Sequence, residues 1–344
     1  MSSPAESAAT HPGPAPVTRR RDESPEAAPL EVRQAVPPPL PTEPQAIFVV
    51  GASRSGTTLM RNLLERSDRI ALAMENHFVG HVLRREGARY YFRKVGDLAD
   101  DNTIRRLVDL VYSGEFQRRS RLREVSPYWR WLTASVPSDE IVDRLLATDR
   151  TERGLFAAFM RVYADYRGRP VIGEKTPAHL AYVDTLLEWF PGGRVVHMLR
   201  DPRGVYVSDH HRRTVKRRKP YSVLMHVPGL FSTVLLIQTT LVWRSAARRH
   251  FVYEKKYPDR YRLVRFEDVV ENPEETLAGV FAFLGVEMPP EPTNVKVFAH
   301  GFRWGEEGID AGAADRWREH IHPFAKRFMT FFLRGTMRRF GYTD

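Results

Sequence analysis

An α/β domain three layers deep, with a central parallel sheet flanked by helices, is predicted by three observations. Short apolar runs of strand length alternate with stretches of helical period, the first run is followed at once by a glycine-bounded loop, and no internal repeat is present. The first strand is Ala46–Val50, apolar throughout and bounded by Pro44 and Gly51, as a strand buried on both faces reads. The loop Gly51-Ala52-Ser53-Arg54-Ser55-Gly56-Thr57-Thr58 leads into a helix carrying Leu59, Met60, Leu63 and Leu64. A short apolar run, Ile70–Ala73, comes next, and Val171–Gly173, Arg194–Leu199 and Arg262–Phe266 are further strands. Leu180, Val183, Leu186, Leu187 and Phe190 have helical spacing between two of them. Asn272-Pro273-Glu274-Glu275 supplies an N-cap, a proline at the first helical position and a capping glutamate; Leu277, Val280, Phe281 and Leu284 then share one face until Gly285.

Composition narrows the function classes. Of 344 residues 42% are hydrophobic and 28% charged, near the average of globular proteins, which disfavours collagen-like, fully disordered and polytopic membrane chains. Cysteine is absent, so disulfide scaffolds, cysteine nucleophiles and Cys-ligated metals are excluded, and a reducing compartment fits. The formal charge of +11 points to acidic partners such as nucleotides, polyanions or membrane headgroups. Residues 1–45 hold 11 of the 25 prolines and no aromatic residue, so they are expected to form a disordered tail, with a single domain over 46–344. The tail is net acidic and the excess of positive charge therefore belongs to the domain. No apolar stretch of signal-peptide length stands near the start, and the expected compartment is the cytoplasm.

The loop between the first strand and helix has a P-loop layout. Two glycines with four residues between them let backbone N–H groups converge on a phosphate, and the helix N-terminus adds its positive end. Hydrolysis of a nucleoside triphosphate calls for a lysine after the second glycine, where this chain has Thr57. A single 5′-phosphate needs only the N–H nest, the threonine hydroxyls and a cation such as Arg54. A P-loop kinase is thus the weaker enzymatic reading, and a polyanion- or membrane-binding protein is the non-enzymatic one.

These residues resemble the sulfotransferases that use 3′-phosphoadenosine-5′-phosphosulfate (PAPS), in particular the branch of tyrosylprotein and many bacterial sulfotransferases. Arg54-Ser55-Gly56-Thr57-Thr58-Leu59 is similar to that family's 5′-phosphosulfate loop. Arg200-Asp201-Pro202-Arg203-Gly204-Val205-Tyr206-Val207-Ser208 is similar to its 3′-phosphate motif, in which Arg200 and Ser208 would hold the phosphate. Glu174-Lys175-Thr176-Pro177 and Leu263–Asp268 extend the resemblance, which runs from about Ile47 to Gly285; Phe266 stands where the family usually has tyrosine. The resemblance implies PAPS as donor, 3′,5′-ADP as product, no metal, and an acceptor hydroxyl. Donor contacts would then come from Arg54, Ser55, Gly56, Thr57, Thr58, Arg200 and Ser208.

Sulfuryl transfer needs an in-line arrangement, charge balance on the transferring group and a route for the acceptor proton. Arg54 and Lys175 are the expected catalytic cations, and Lys175 stands out because the chain has 8 lysines against 45 arginines. Glu75, 21 residues after Arg54, is the expected general base; His179 is its rival, although a histidine at a helix start is more often a polar surface residue. Each assignment has a structural alternative: Glu75 as partner of an arginine, Lys175 paired with Glu174, Arg200 paired with Asp201. The twelve histidines, His210-His211 included, show no dependable ligand spacing and are read as solvated or basic-patch residues.

The acceptor side is expected in a helical insert over about 210–250. Arg212–Lys219 holds six cations in eight residues, and Tyr221–Trp243 follows with no charged residue. That segment is long enough to span a bilayer, but Pro228-Gly229 breaks it and it lies between catalytic strands. A buried or acceptor-facing helix is the leading expectation and a lipid-facing one the next. The acceptor is therefore sought among carbohydrates, glycolipids and other amphipathic molecules. Peripheral contact with an anionic or lipid surface is compatible with this, and no nucleic-acid partner is expected.

Overall fold

The structure is a computed structural model that describes residues 46–79, 96–115, 126–216, 227, 229–299 and 303–342. The proline-rich tail, Arg217, Arg218 and Lys219 of the basic block, and Tyr221–His226 and Pro228 of the apolar segment lie outside the described residues. A five-stranded parallel sheet has the order β2-β3-β1-β4-β5, with β1 Ala46–Gly51, β2 Ile70–Ala73, β3 Val171–Lys175, β4 Arg194–Leu199 and β5 Tyr261–Arg265. Strand β1 is central, bonded to β3 in the register Ile47 to Gly173 and to β4 in the register Phe48 to Val195. Its six residues are all buried, as its unbroken apolar sequence predicts.

Alternation along β1 divides the core. Ile47 and Val49 pack with Met60, Leu63 and Leu64 of α1 (Thr57–Leu64) and with Leu277, Val280 and Phe281 of the later helix Pro273–Leu284. Phe48 points to the other layer, where its ring lies near Phe156 and Phe190. Among the described residues, helices between β2 and β3 include α2 Asp101–Tyr112, α3 Pro127–Ser135, α4 Ser138–Leu146 and α5 Glu152–Tyr166. Beyond β3 come α6 Val183–Trp189, α7 Pro202–Lys216, α8 Leu230–Lys256, α9 Phe266–Glu271 and α10 Pro273–Leu284. A two-stranded antiparallel pair, β6 Lys296–Ala299 with β7 Arg303–Glu307, precedes α11 Trp317–His320 and α12 Pro323–Arg339. A second core joins β4 to α7, α8 and α12 through Leu199, Val205, Trp243, Met329 and Leu333.

Several sequence expectations are adjusted. Leu180 lies in a 3-10 turn, Pro177–Tyr182, and α6 begins only at Val183; Phe190 follows the helix end. Phe266 does not end β5 but opens α9, which brings its ring over the loop at Gly56. Asn272 is the residue before α10 and Pro273 is at its start, but the asparagine side chain makes no capping bond; Gly285, at φ 63°, ends the helix as expected. Of Tyr221–Trp243, the described part enters α8 at Leu230, directly after Gly229 of the expected break, and buries Phe231, Leu235, Leu236 and Trp243 while Leu230, Ile237, Leu241 and Val242 remain exposed.

Candidate active site

The carboxyl ends of adjacent strands form the crevice in which parallel sheets bind ligands, and every candidate residue sits there. The loop Ala52–Gly56 follows β1, Glu75 lies two residues past β2, Lys175 ends β3, Arg200 follows β4, and Phe266 follows β5. A cavity of about 290 Å³ is lined by Arg54, Gly56, Thr57, Thr58, Glu75, Arg200, Ser208 and Phe266 among others. The structure thus brings together the donor-loop and 3′-motif residues, which are far apart in sequence.

The loop is shaped for close approach. Gly56 has φ 86°, and a Cβ there would lie 2.5 Å from the Phe266 ring, so glycine is required twice over. It precedes α1 with no side-chain cap, leaving the N–H groups of the first turn for a ligand. Arg54 adopts φ 72°, an unusual backbone for a residue with a side chain, costing about 1–2 kcal/mol. Its guanidinium is fixed by donating to Ser208 Oγ from Nε at 3.1 Å and from Nη2 at 2.9 Å. Ser208 accepts both bonds, so its own hydroxyl hydrogen is left to donate. Burial lowers the Arg54 pKa to about 10, with Arg212 and Arg200 adding repulsion and Asp209 and Glu75 opposing it.

Arg200 is not paired with Asp201. Its Nη2 donates to the Ala313 carbonyl at 2.7 Å, its guanidinium lies 4.2 Å from the Phe266 ring centre, and its buried Nε has no partner within the protein. Gly204 makes room for it: a Cβ there would stand 2.9 Å from that Nε. Asp201 instead binds Arg203, from Nη2 at 2.7 Å and Nε at 3.0 Å, and Arg203 stacks on Trp317 at 4.1 Å. Burial lowers the Arg200 pKa, against the attraction of Glu267 and Asp201.

Lys175 is likewise not paired with Glu174. Neighbours on a strand point to opposite faces, and the Glu174 carboxylate accepts from Thr176 Oγ1 at 2.5 Å and binds His179 Nδ1, while Lys175 Nζ donates to Glu75 Oε1 at 2.6 Å. His77 Nε2 stands 3.5 Å from the other Glu75 oxygen. Burial alone would raise the Glu75 carboxyl, but hydrogen bonding from His77 and the charge and hydrogen bond of Lys175 outweigh it and hold the pKa at about 2. The Lys175 pKa is lowered by burial in spite of Glu75. His179 is fully buried between the rings of Phe156 and Tyr182, so the expectation of a polar surface residue fails: Glu174 supplies the partner that lets its ring leave water.

His77, two residues past Glu75 and in contact with it, was not singled out from sequence; Arg212, read from sequence as part of the basic block on the acceptor side, lines the cavity four residues past Ser208. Asp310, Ala313, Arg316 and Trp317 close the cavity from beyond Gly285, with Arg316 Nη2 bridging to Asp310 at 2.5 Å. Glu267 Oε1 accepts from the Asp201 N–H at 2.9 Å and Oε2 from the Tyr342 hydroxyl at 2.9 Å, tying the Arg200 turn to the C-terminal region. Burial raises the Glu267 pKa, against its hydrogen bonds.

Comparison with known proteins agrees with this geometry. The sulfotransferase domain of the Synechococcus PCC 7002 olefin synthase superposes with a TM-score of 0.51 at 19% identity, covering 87% of this chain and 95% of that one, which shows a shared fold. The omega-hydroxy-beta-dihydromenaquinone-9 sulfotransferase Stf3 of Mycobacterium bovis is 29% identical over 254 residues, 70% of this chain and 62% of its own length. Carbohydrate sulfotransferase 5 of Mus musculus is 30% identical over 166 residues, 43% of this chain and 41% of its own. The chain therefore spans about three-fifths, or less, of the curated relatives it matches. The family model described as the sulfotransferase family matches residues 44–290, most of the chain, and on that match the protein belongs to the sulfotransferase family.

Proposed function

We propose that the protein is an enzyme that moves a sulfuryl group from PAPS to an acceptor hydroxyl and releases 3′,5′-ADP. The observation that carries this is the convergence of Arg54, Arg200 and Ser208 on one cavity whose edge holds the Glu75–Lys175 pair. The site suits a polyanion: Ser55 Oγ and Arg200 Nε are buried without a protein partner, and the first turn of α1 starts uncapped. The 5′ side of the donor would take the α1 N–H groups with Ser55, Gly56, Thr57 and Thr58. Its 3′-phosphate would take Arg200 and the Ser208 hydroxyl hydrogen.

In the transfer itself the acceptor oxygen bonds to sulfur as the bond from sulfur to the 5′-phosphate oxygen breaks, its electrons leaving with 3′,5′-ADP. Arg54 balances charge on the sulfuryl oxygens, Lys175 on the departing oxygen, and Glu75 takes the acceptor proton. When Lys175 turns to the departing oxygen, one of the two groups that keep Glu75 low is withdrawn, and the carboxylate becomes a stronger base. His179 is sealed against Glu174 and does not line the cavity, which favours Glu75. We take residues 46–344 as the transferase domain and the cytoplasm as its setting. The acceptor class is a hydroxyl-bearing carbohydrate, glycolipid or other amphiphile, in keeping with relatives named for a menaquinone derivative and for carbohydrate.

Thermal unfolding of the full chain with 3′,5′-ADP, 5′-AMP or Mg·ATP tests the donor site. At a ligand concentration one hundred times Kd, 3′,5′-ADP is expected to add about 2.7 kcal/mol of stability without Mg²⁺. The gain should be lost in Arg200→Ala. Stabilisation by Mg·ATP alone would overturn the proposal in favour of a kinase.

A further inference from the structure

All the exposed large apolar side chains among the described residues fall on α8, on the residue Val227 just before it, or on α12. Exposed apolar residues scattered singly need no explanation, whereas a concentration of them on two packed helices does. Helix α12 buries Ala325, Met329, Leu333 and Met337, four residues apart, and turns Phe324, Phe331 and Phe332 outward; Phe331 is 78% exposed. These rings form a ladder through Phe328, with centroids 6.2, 4.5 and 5.2 Å apart along the series 324, 328, 332, 331. Helix α8 does the same with Leu230, Ile237, Leu241 and Val242.

The two helices run side by side in the same direction. Their starts meet around a cavity of about 750 Å³ lined by Gly229, Thr233, Phe324 and Ala325, and their far halves meet where Phe340 packs against Trp243 and Phe251. The apolar ends therefore coincide. Cations share the outward arcs: Arg244 and Arg248 are exposed on α8 between Val242 and the exposed Val252, and on α12 Arg327 is exposed between Phe324 and Phe331, with Arg334 and Arg338 beyond Phe332. A helix lying in the interface buries its apolar face about 5–10 Å into the boundary between headgroups and acyl chains, and arginines on the same face reach back along their stems to the phosphates. The +11 charge of the chain adds to the attraction.

We propose that the outer face of α8 and α12 docks on an anionic lipid bilayer, with its aromatic and aliphatic end in the acyl boundary and its arginines at the headgroup phosphates. The charge pattern favours this occupant: rings alone would suit any apolar partner, but rings ringed by arginine suit a surface that is apolar within and anionic at its rim. Val207 of α7 lines both the cavity at this end and the donor cavity. The docked face is thus one side chain from the active site.

The test is flotation of the full chain with phosphatidylcholine vesicles, with and without phosphatidylglycerol. The triple variant Phe324→Ser/Phe331→Ser/Phe332→Ser removes the apolar end at constant charge, and Leu241→Ser/Val242→Ser serves as an independent second variant on α8. Wild type is expected to float with the anionic vesicles, and either variant to bind about tenfold more weakly or less. Arg327→Gln/Arg334→Gln/Arg338→Gln should weaken binding as well. Absence of vesicle binding by the wild type, or binding by both apolar variants as strong as the wild type's, would overturn the proposal. A concentration-dependent dimer abolished by the same apolar substitutions would replace the bilayer with a second copy of the chain. Stabilisation by 3′,5′-ADP, measured on each variant, reports separately on the donor site, so failure of the transfer reading is visible apart from failure of docking.

Discussion

Glu75 keeps a third of its side-chain surface exposed at the rim of the cavity, and it is ionised because two nitrogens face its two oxygens: Lys175 Nζ at 2.6 Å and His77 Nε2 at 3.5 Å. A carboxylate so held is deprotonated at neutral pH but weakly basic, and it gains basicity when Lys175 turns away; general bases contribute ~10²–10⁴-fold. Glu75→Gln keeps the size and one hydrogen-bond acceptor; sulfuryl transfer should fall by that factor while the affinity for 3′,5′-ADP, followed by calorimetry, is unchanged. Turnover near wild type would return His179 to consideration. Lys175→Met removes one of the two cations. The Glu75 pKa, about 2 in the wild type, should then rise toward or past the ordinary value of about 4.3, because burial remains and pushes upward. Site-resolved carboxyl NMR reads the shift. The sign of the linked stability follows: a carboxyl lowered in the folded state stabilises fully above its unfolded pKa and loses that contribution as pH falls toward 2, so Lys175→Met should soften acid unfolding at its lower end.

Strand β1, its loop and α1 were legible because each obeys a local rule: an apolar run for burial, two glycines for the turn, and apolar spacing for the helix. What was not legible is tertiary. Pro177 opens a 3-10 turn rather than a longer α6, and Asn272, which also closes α9 with its own N–H on the Asp268 carbonyl, reaches no N–H of α10. The C-terminal wall at Asp310–Trp317 has no periodic pattern and no resemblance to mark it; only the fold brings it over Arg200. Nor does sequence adjacency tell which acid pairs with which cation, since Asp201 chose Arg203 and Glu75 crossed to Lys175. Gly56 is where element geometry is most exposed to test. Gly56→Ala forces a side chain onto a left-handed backbone and into the Phe266 ring. Donor affinity should drop by tenfold or more, and Gly56→Ala/Phe266→Ala should recover only part of it, because the ring clash is relieved and the backbone strain is not. Full recovery by the double variant would show that ring contact alone governs the turn.

At the scale of the whole molecule the positive excess is not spread evenly. The prediction that it belongs to the part after residue 45 follows from counting charges, but its concentration at one cavity required the fold: Arg54, Arg200, Arg212 and Arg316 all line it. Burial and mutual repulsion between these guanidiniums are visible in Arg54, whose pKa falls to about 10. A polyanion relieves that repulsion, so part of its binding energy is released strain between like charges. Such a contribution is screened by salt, with a Debye length of ≈10 Å at 0.1 M falling to about 3 Å at 1 M. The affinity for 3′,5′-ADP should therefore fall steeply between low and high salt. For 5′-AMP, which lacks the phosphate assigned to Arg200 and Ser208, the slope should be shallower. Titration calorimetry over a salt series measures both. If the two slopes coincide, the 3′-phosphate does not meet this cluster, and Arg200 would have to be reassigned to the packing of Phe266 and Ala313 that it also makes.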